Sequence, residues 1–380
     1  MRSKILLIVG SLACALFAGE AVLGAIFPNE YCVWPPNIRH VFHTNPRYVP
    51  GVAAPSRFET NSTGLRGDEL KESDHYRILA IGGSTTLCEY VDQSRAWPQL
   101  LQEMLNQGNK EGKVWVGNAG LNGKDTRHHL TLMRYLPLKA MKIEAVVLLV
   151  GVNDFQEYLD NPEYLSKKLT DEDLLYQSFL GSVHHPQPWE PFYRRTATWR
   201  AWRRVKQNLQ LRSQQKAIDD DDGAILETWR QHRRGAKEIR FQLPDLTPGL
   251  DDYARNINRI IDVAKERSVR VIFVTQPTMW RAGLAPELTS LLWFGGIGNF
   301  QAESGKPYYS AEALEQGMRA YNERLLGICK ARAVECVDIS GLAKDTSVFY
   351  DDVHFNDGGN REVAERLAAY LQSLPPFNNN

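Results

Sequence analysis

Short polar blocks follow apolar, strand-like runs at three places in the first half of the chain. The runs cover residues 77–81, 114–116 and 145–150, and glycine, asparagine or serine stands soon after each of them. Helix-like stretches separate the runs, and right-handed crossovers are the default connection between parallel strands. The loops at the carboxyl ends of parallel strands converge on one crevice. The pattern therefore predicts an α/β fold whose polar blocks meet at one edge of a sheet.

The alternation resumes later in the chain and sets the size of the sheet. Further strands are predicted at 269–275 and 334–339. Helices are predicted at 97–107, 128–136, 253–267, 311–332 and about 360–371. We expect a flavodoxin-like three-layer α/β/α sandwich around a five-stranded parallel sheet. With 380 residues, 43% of them hydrophobic and 24% charged, the chain has a globular composition that fits one main domain.

The polar blocks contain the residue types of acyl-transfer chemistry. Ser84 lies in Gly-Gly-Ser-Thr, Gly123 ends Asn-Ala-Gly-Leu-Asn-Gly, and Asn153 lies in Gly-Val-Asn-Asp. Near the other end of the chain, Asp351 and His354 belong to Asp-Asp-Val-His. A serine hydroxyl attacks an acyl carbon when a base takes its proton and a third group holds the tautomer of that base. Each block alone is a weak signal, but their order and spacing together predict a serine hydrolase.

In these four blocks the chain resembles the SGNH (GDSL-like) hydrolases, a family named for a serine, a glycine, an asparagine and a histidine. The matching residues are Ser84, Gly123, Asn153 and His354, and Asp351 matches the triad acid. The first block departs from the family's Gly-Asp-Ser-Leu because it reads Gly-Gly-Ser-Thr here. The departure keeps the nucleophile and changes the turn that carries it.

The resemblance implies a mechanism. His354 would accept the Ser84 proton while the hydroxyl attacks an ester carbonyl, and Asp351 would orient the imidazole ring. The backbone N–H groups of Ser84 and Gly123 and the side-chain amide of Asn153 would form the oxyanion hole. An acyl-enzyme would form, and water would then release it. No metal or other cofactor takes part in this scheme.

Other ionisable groups are expected to lie outside the reaction. Asp352 is as acidic as its neighbour Asp351, but the motif spacing favours Asp351, so Asp352 is expected to cap a turn or contact solvent. The histidine pairs 128–129 and 184–185 are adjacent, so neither pair presents two imidazoles on one helical face as a zinc site would. We expect solvated histidines there. Acidic and basic residues balance at 45 each, and no nucleic-acid partner is predicted.

An almost unbroken apolar stretch runs from Ile5 to Phe27, after the basic residues Arg2 and Lys4. The stretch is long enough to cross a bilayer as a helix. The basic flank predicts that the start of the chain stays in the cytoplasm and that the rest is exported, to the periplasm or the cell exterior. We expect a retained membrane anchor over residues 1–27. A cleaved signal peptide with secretion of the rest is the alternative.

Export would place four cysteines in an environment where disulfides persist. They are Cys32, Cys88, Cys329 and Cys336, whereas Cys14 lies within the apolar stretch. Four cysteines allow three pairings, and the sequence does not choose among them. The short separation of Cys329 and Cys336 is compatible with a bridge between a helix and the strand after it.

The remaining boundaries follow from composition. Residues 28–74 are predicted to form an extended N-terminal arm, and residues 75–155 and 250–375 the two parts of the hydrolase core. Residues 156–249 interrupt the alternation as a largely helical insertion, which is a candidate lid. Residues 376–380 form a tail.

The centre of the insertion, residues 194–218, holds eight basic residues and no acidic one. Trp199, Trp202, Val205 and Leu209 are spaced for one helical face. A basic helix with an aromatic stripe can lie on an anionic membrane or cover a site, and a packed helix with a solvated basic side is an equal alternative.

Three functions are compatible with these observations. The first is a membrane-anchored, extracytoplasmic esterase that acts on small acyl esters, such as O-acetyl groups on a glycan. The aromatic segment 277–309 follows the fourth strand and can stack on sugar faces or shape an acyl pocket. The second is an O-acyltransferase that uses the same triad to acylate a glycan. The third is a non-catalytic binding protein on the same fold.

Overall fold

Strands and helices alternate through most of the chain. The computed structural model describes residues 2–26, 31–107, 113–161, 163, 165, 169, 171–180, 191–203, 205, 206 and 222–378. The strands are β1 (Arg39–Phe42), β2 (Ser56–Glu59), β3 (Asp74–Gly82), β4 (Lys113–Asn118), β5 (Ala145–Leu149), β6 (Ile239–Arg240), β7 (Arg270–Val274), β8 (Tyr308–Tyr309) and β9 (Glu335–Val337). The helices are α1 (Arg2–Ile26), α2 (Ser84–Leu87), α3 (Trp97–Asn106), α4 (Thr126–Tyr135), α5 (Val152–Asp160), α6 (Asp171–Ser178), α7 (Ala224–Arg234), α8 (Thr247–Glu266), α9 (Pro286–Thr289), α10 (Ala311–Arg332) and α11 (Asp357–Gln372).

Five parallel strands form the central sheet, in the order β4–β3–β5–β7–β9. Counted along the chain, this order is 2-1-3-4-5, which is the flavodoxin-like arrangement. All five residues of β5 are buried. Strands covered on both faces need apolar side chains on both sides, which explains the continuous apolar runs in the sequence. The predicted α/β fold with a five-stranded parallel sheet is confirmed.

Amphipathic helices cover the sheet. In α8, Ile257, Ile260, Ile261 and Ala264 are buried, and their spacing of three and four residues places them on one face. This helix packs against α4 and α10, whereas α3 packs against α11. Ser310 caps the start of α10, because its side chain accepts a hydrogen bond from the Ala313 amide.

The N-terminal arm is joined to the edge of the sheet. Strands β1 and β2 pair antiparallel, and farther along the arm Arg66 exchanges backbone hydrogen bonds of 2.9 and 3.0 Å with Asn118 at the end of β4. The Arg66 side chain is fully buried and donates to the carbonyls of Leu87, Cys88 (2.6 Å) and Val91 (2.6 Å). The arm therefore fixes the segment that follows α2.

Two buried arginines attach α7 of the insertion to the rest of the domain. Arg230 donates to the carbonyls of Tyr48 in the arm, at 2.9 Å, and of Tyr350, at 3.0 Å. Arg233 donates to the carbonyls of Phe294 and Tyr309. Several neutral carbonyl acceptors replace the water that each guanidinium loses on burial.

Helix α1 and one disulfide bear on the cellular location of the protein. Residues Leu7–Ile26 of α1 are long and apolar enough to cross a membrane by length and composition, and this helix is a signal segment or an anchor. A disulfide joins Cys329 at the end of α10 to Cys336 in β9. Disulfides persist in extracytoplasmic compartments. Cys32 and Cys88 are buried and lie outside this disulfide.

Candidate active site

Ser84, His354 and Asp351 form a continuous chain of hydrogen bonds at the carboxyl edge of the sheet. His354 Nε2 lies 2.7 Å from Ser84 Oγ, and His354 Nδ1 lies 2.7 Å from Asp351 Oδ2. Ser84 begins α2 directly after β3. Because an ionised carboxylate accepts only, Nδ1 carries the proton and Nε2 is free to accept from the serine hydroxyl. The fold thus brings together residues 270 positions apart.

Aromatic rings hold the imidazole in place. The ring of Tyr350 stacks on His354 at 5.4 Å between centroids with an interplanar angle of 10°. Trp293 is stacked on the same imidazole at 6.3 Å, again at 10°. The two parallel rings restrict rotation of the imidazole, so its nitrogens keep pointing at Ser84 and Asp351. Trp293 was expected only as part of an aromatic segment near the site.

The two adjacent aspartates have different partners. Asp351 accepts hydrogen bonds from the backbone amides of Val353 (3.0 Å) and His354 (2.8 Å). Asp352 accepts from the indole nitrogen of Trp280 at 2.7 Å and from the backbone amide of Trp293 at 2.5 Å. Both aspartates are fully buried. The expectation that Asp352 contacts solvent is therefore wrong: its carboxylate binds buried N–H groups and caps the loop that contains Trp293.

Charge and hydrogen bonding set the protonation states. Burial raises the pKa of Asp351, but the charge of His354 and hydrogen bonds from His354, Val353 and Trp293 outweigh it and hold the pKa below its usual value. Burial lowers the pKa of His354, yet the Asp351 carboxylate, with a contribution from Glu89, raises it overall. Burial keeps the pKa of Asp352 above its usual value despite the charge of Arg233.

Asn153 and Gly123 lie on the same pocket as Ser84. Asn153 Nδ2 donates a hydrogen bond of 2.8 Å to the carbonyl of Lys124, the residue after Gly123. A primary amide carries two N–H groups, so the second remains for another acceptor. A Cβ on Gly83 would lie 2.2 Å from Asn153 Nδ2. The glycine that replaces the family's aspartate here thus leaves room for the amide beside the serine.

A buried asparagine connects the loops that carry Ser84 and Gly123. The Asn118 side chain donates a hydrogen bond of 2.7 Å to the carbonyl of Thr86 in α2 and accepts one of 2.8 Å from the backbone amide of Gly120. The backbones approach closely there, because a Cβ on Gly120 would lie 2.3 Å from the Leu87 nitrogen. Trp34 of the arm donates its indole N–H to the Gly120 carbonyl at 3.1 Å. These contacts fix the spacing between the serine and the glycine loop.

A cavity of about 370 Å³ lies over Ser84. Trp229 of α7, Trp293 and Phe300 form its aromatic walls, and Glu157 and Asp160 of α5 lie on the acidic side. Burial raises the pKa of both carboxyl groups. The described residues that line the cavity include no lysine and no arginine. The cavity therefore combines flat apolar surfaces with hydrogen-bond acceptors.

Comparison with protein families shows where this site belongs. Residues 80–362 match the model of the GDSL-like Lipase/Acylhydrolase family. The chain is a member of this family. The match contains Ser84, Gly123, Asn153, Asp351 and His354, so the GDSL-like hydrolase carries every motif residue on which the resemblance was based. It is accordingly an enzyme of the esterase class.

Solved structures with a similar arrangement are distant in sequence. An aryl esterase of M. smegmatis is 14% identical, with 79% of this chain and 99% of that chain covered and a TM-score of 0.39. A GDSL-like lipase from Bacteroides thetaiotaomicron is 13% identical, with 81% and 93% covered and a TM-score of 0.37. A mutant acetyl-xylooligosaccharide esterase from Geobacillus is 13% identical, with 80% and 95% covered and a TM-score of 0.41. No curated protein matches the GDSL-like hydrolase significantly.

The adjacent histidines of α4 are not solvated. His128 and His129 are both buried, which contradicts the expectation, and the pair 184–185 lies outside the described residues. His128 Nδ1 lies 2.6 Å from Asp125, whose side chain also caps α4. His128 Nε2 lies 2.9 Å from Gln177. Burial lowers the pKa of His129 to about 4. Both imidazoles thus belong to the interior of the GDSL-like hydrolase.

Proposed function

We propose that this protein is a serine esterase in which Ser84 is the nucleophile, His354 the general base and Asp351 the residue that orients His354. The observation that carries the proposal is the pair of 2.7 Å contacts that links the three side chains. These distances lie in the range at which a base takes a hydroxyl proton. The depressed pKa of Asp351 keeps its carboxylate charged, and the charge stabilises the imidazolium that forms.

The reaction begins when the Ser84 hydroxyl attacks the ester carbonyl and its proton moves to His354 Nε2. The carbonyl oxygen becomes an oxyanion, for which the proposed donors are the backbone N–H groups of Ser84 and Gly123 and the free N–H of Asn153. His354 then gives its proton to the leaving alcohol, and an acyl-enzyme remains. Water, deprotonated by His354, attacks the acyl group and releases the acid. Ser84 regains its proton.

The proposed substrate is a small acyl ester, in particular an O-acetyl group on a glycan. The cavity supports this choice because Trp229 and Trp293 offer flat faces that suit sugar rings. Glu157 and Asp160 can accept hydrogen bonds from hydroxyl groups, and the described lining residues, which include no lysine or arginine, do not attract anionic alcohols. About 370 Å³ accommodates a sugar unit with a short acyl group better than a long lipid chain.

The proposed location is extracytoplasmic, with α1 retained as a single membrane anchor. In this arrangement residues 1–27 anchor the chain, residues 28–74 connect the anchor to the domain, and residues 75–155 and 250–375 form the hydrolase core. Residues 156–249 contribute the cavity wall at Trp229. The Cys329–Cys336 disulfide supports an oxidising compartment.

Covalent labelling tests the proposal most directly. A fluorophosphonate probe should label the wild-type protein and fail to label Ser84→Ala, a variant that removes only one oxygen. Labelling of both proteins would place the reactive nucleophile at another residue, and labelling of neither would favour a non-catalytic binding role. Turnover of p-nitrophenyl esters of increasing chain length, beside acetylated sugars, tests the substrate. Adding an acceptor glycan distinguishes hydrolysis from acyl transfer, because a transferase forms the acylated acceptor.

A further inference from the structure

An exposed aromatic and basic surface lies in the insertion, away from the cavity. It consists of the described residues 192–203, 205 and 206, which we name the aromatic-basic segment. Phe192 is 79% exposed, Trp202 52% and Val205 54%. The basic side chains of the segment are Arg194, Arg195, Arg200, Arg203 and Lys206, and none of its described residues is acidic. Large exposed apolar side chains in one short segment indicate a contact with a partner or a membrane.

The aromatic-basic segment is attached to α1. Glu20, a carboxylate within the apolar helix, accepts hydrogen bonds from the backbone amides of Ala197 and Thr198 and from the Thr198 hydroxyl, the latter two at 3.0 and 2.9 Å. Gly24 faces the same segment, because a Cβ there would lie 3.9 Å from Ala197 Cβ and from an Arg200 nitrogen. The hydrogen bonds replace water around Glu20 and so lower the cost of placing a carboxylate in an apolar helix.

The position of Glu20 along α1 shows how far from the end of this helix the aromatic-basic segment is attached. Glu20 lies six residues before Ile26, the last residue of α1. At 1.5 Å per residue this distance is about 9 Å. Amphipathic helices that lie in a membrane interface bury their apolar face about 5–10 Å into the boundary between headgroups and acyl chains. Residues 197–200 therefore lie at the level of the bilayer interface when α1 spans the membrane.

We propose that the aromatic-basic segment is an interfacial membrane-binding element that lies on an anionic phospholipid surface, beside α1. The proposal rests on the anchoring role proposed for α1. Trp199 and Trp202 stack at 4.9 Å, and Lys206 Nζ lies 5.5 Å from the Trp202 centroid. Amphipathic aromatic rings are enriched at headgroup level, where arginine and lysine bind lipid phosphates. The segment presents both kinds of side chain on the part of the domain that adjoins the anchor.

A cover over the active site is the other role that its pattern allows, and the geometry disfavours it. The described residues of the insertion that line the cavity are Gln156, Glu157 and Asp160 of α5 and Leu226 and Trp229 of α7. None of the described residues of the aromatic-basic segment lines the cavity. Bound to the bilayer through both α1 and this segment, the domain has two attachment points, and its cavity keeps a fixed height and direction above the membrane.

Fluorescence quenching in a bilayer tests the location of the segment. The full-length protein is reconstituted into phospholipid nanodiscs that contain phosphatidylglycerol and a brominated phosphatidylcholine, which quenches tryptophans near the interface. We expect a quenchable component in the wild type that is lost in Trp199→Phe/Trp202→Phe, because phenylalanine keeps the apolar rings and removes the reporters. Trp229→Phe is the matched control, since its indole lies in the cavity, and it should be quenched like the wild type. Equal quenching of the double variant and the wild type would overturn the proposal.

A charge series tests the lipid class. Arg195→Gln/Lys206→Gln should lower the quenching in phosphatidylglycerol discs to the level seen in discs of phosphatidylcholine alone. Arg366→Gln, an exposed charge on α11, should have no effect. Quenching that is the same with and without phosphatidylglycerol would overturn the anionic part of the proposal. Cofractionation of Arg195→Gln/Lys206→Gln with the discs checks α1 separately, because this variant lacks charges of the segment, so a failed anchor and a failed segment give different results.

Discussion

Trp293 donates its indole N–H to Asp351 Oδ2 at 2.9 Å, and the same oxygen lies 2.7 Å from His354 Nδ1. The indole ring is also stacked on His354. A single side chain from the loop after β7 thus contacts both His354 and Asp351 of the proposed triad. Asp352 accepts a hydrogen bond from the backbone amide of Trp293. The two neighbouring aspartates therefore bind the same tryptophan, Asp351 at its indole and Asp352 at its backbone.

The two aspartates should respond differently to the same substitution. Asp351→Asn should lower kcat by about 10⁴-fold, because an amide no longer fixes the reactive tautomer of the histidine. Asp352→Asn should mainly lower stability, since one oxygen that accepts from buried amides becomes a donor. Steady-state kinetics and thermal melting of both variants check this. A greater loss of kcat in Asp352→Asn than in Asp351→Asn would contradict the assignment.

The activity should rise with pH through the pKa of His354. The imidazole accepts a proton only when it is neutral, and Asp351 raises its pKa above the ordinary value of 6.5. We therefore expect kcat/KM on p-nitrophenyl acetate to be lost as pH falls through a value above 6.5. Glu89→Gln should move this limb to lower pH, because it removes a second negative charge that favours the imidazolium. A wild-type limb below 6.5 would disagree with the geometry.

Asn153→Ala should lower kcat with little change in KM. Loss of one oxyanion donor costs about 3–4 kcal/mol of transition-state stabilisation, or about 10²–10³-fold. Gly83→Ala should act in the same direction, because its Cβ displaces the Asn153 amide, which lies 2.2 Å from that position. Gly341→Ala is a suitable control, since no heavy atom lies within 4 Å of its Cβ position. Normal activity in Asn153→Ala would remove this residue from the proposed oxyanion hole.

Arg66 should matter for stability despite its position outside the family match. In Arg66→Met the buried carbonyls of Leu87, Cys88 and Val91 lose the guanidinium donor, and of the three Cys88 keeps the Val91 amide at 3.0 Å. Each unsatisfied buried acceptor costs about 1–3 kcal/mol, so a loss of about 3 kcal/mol or more is expected. Urea denaturation measures it. Arg39→Met, the same change at an exposed site of the arm, should stay within about 0.5 kcal/mol of wild type.

Removal of the disulfide should lower stability without lowering kcat. The loop between Cys329 and Cys336 has a sequence separation of 7. The chain-entropy relation gives about 2.5 kcal/mol for closing a loop of that length. Cys329→Ser/Cys336→Ser should therefore unfold at a lower urea concentration, and reduced wild type should match it. A double variant as stable as oxidised wild type would show that the bridge contributes nothing.

The sheet and the site motifs were predictable because the signals are local. Apolar runs such as 145–150 identify a strand that is covered on both faces, and the polar residues at its end mark the ligand-binding edge. The spacing of Asp351 and His354 likewise lies within one loop. The order of the strands then places this loop beside Ser84, so no further sequence signal is needed to predict their proximity.

The supporting contacts were not predictable by the same reasoning. Arg66, Arg230 and Trp293 bind backbone carbonyls or a buried carboxylate that lie tens to hundreds of positions away, and no periodicity encodes such pairs. The burial of His128 was not predicted, because it depends on Asp125 and Gln177. These two residues bind both ring nitrogens and so allow the imidazole to be buried. An aspartate three residues before that histidine was the only available signal, and it is also the pattern of an ordinary helix cap.

Arg230 has a consequence for any attempt to shorten this protein. Its guanidinium joins the arm at Tyr48 to the residue before Asp351, whereas the family match begins only at residue 80. A truncated chain that starts at the match would lack Tyr48, Trp34 and Arg66, and with them one acceptor of Arg230 and both donors that brace the serine and glycine loops. We therefore expect the smallest unit that folds and is active to be larger than residues 80–362.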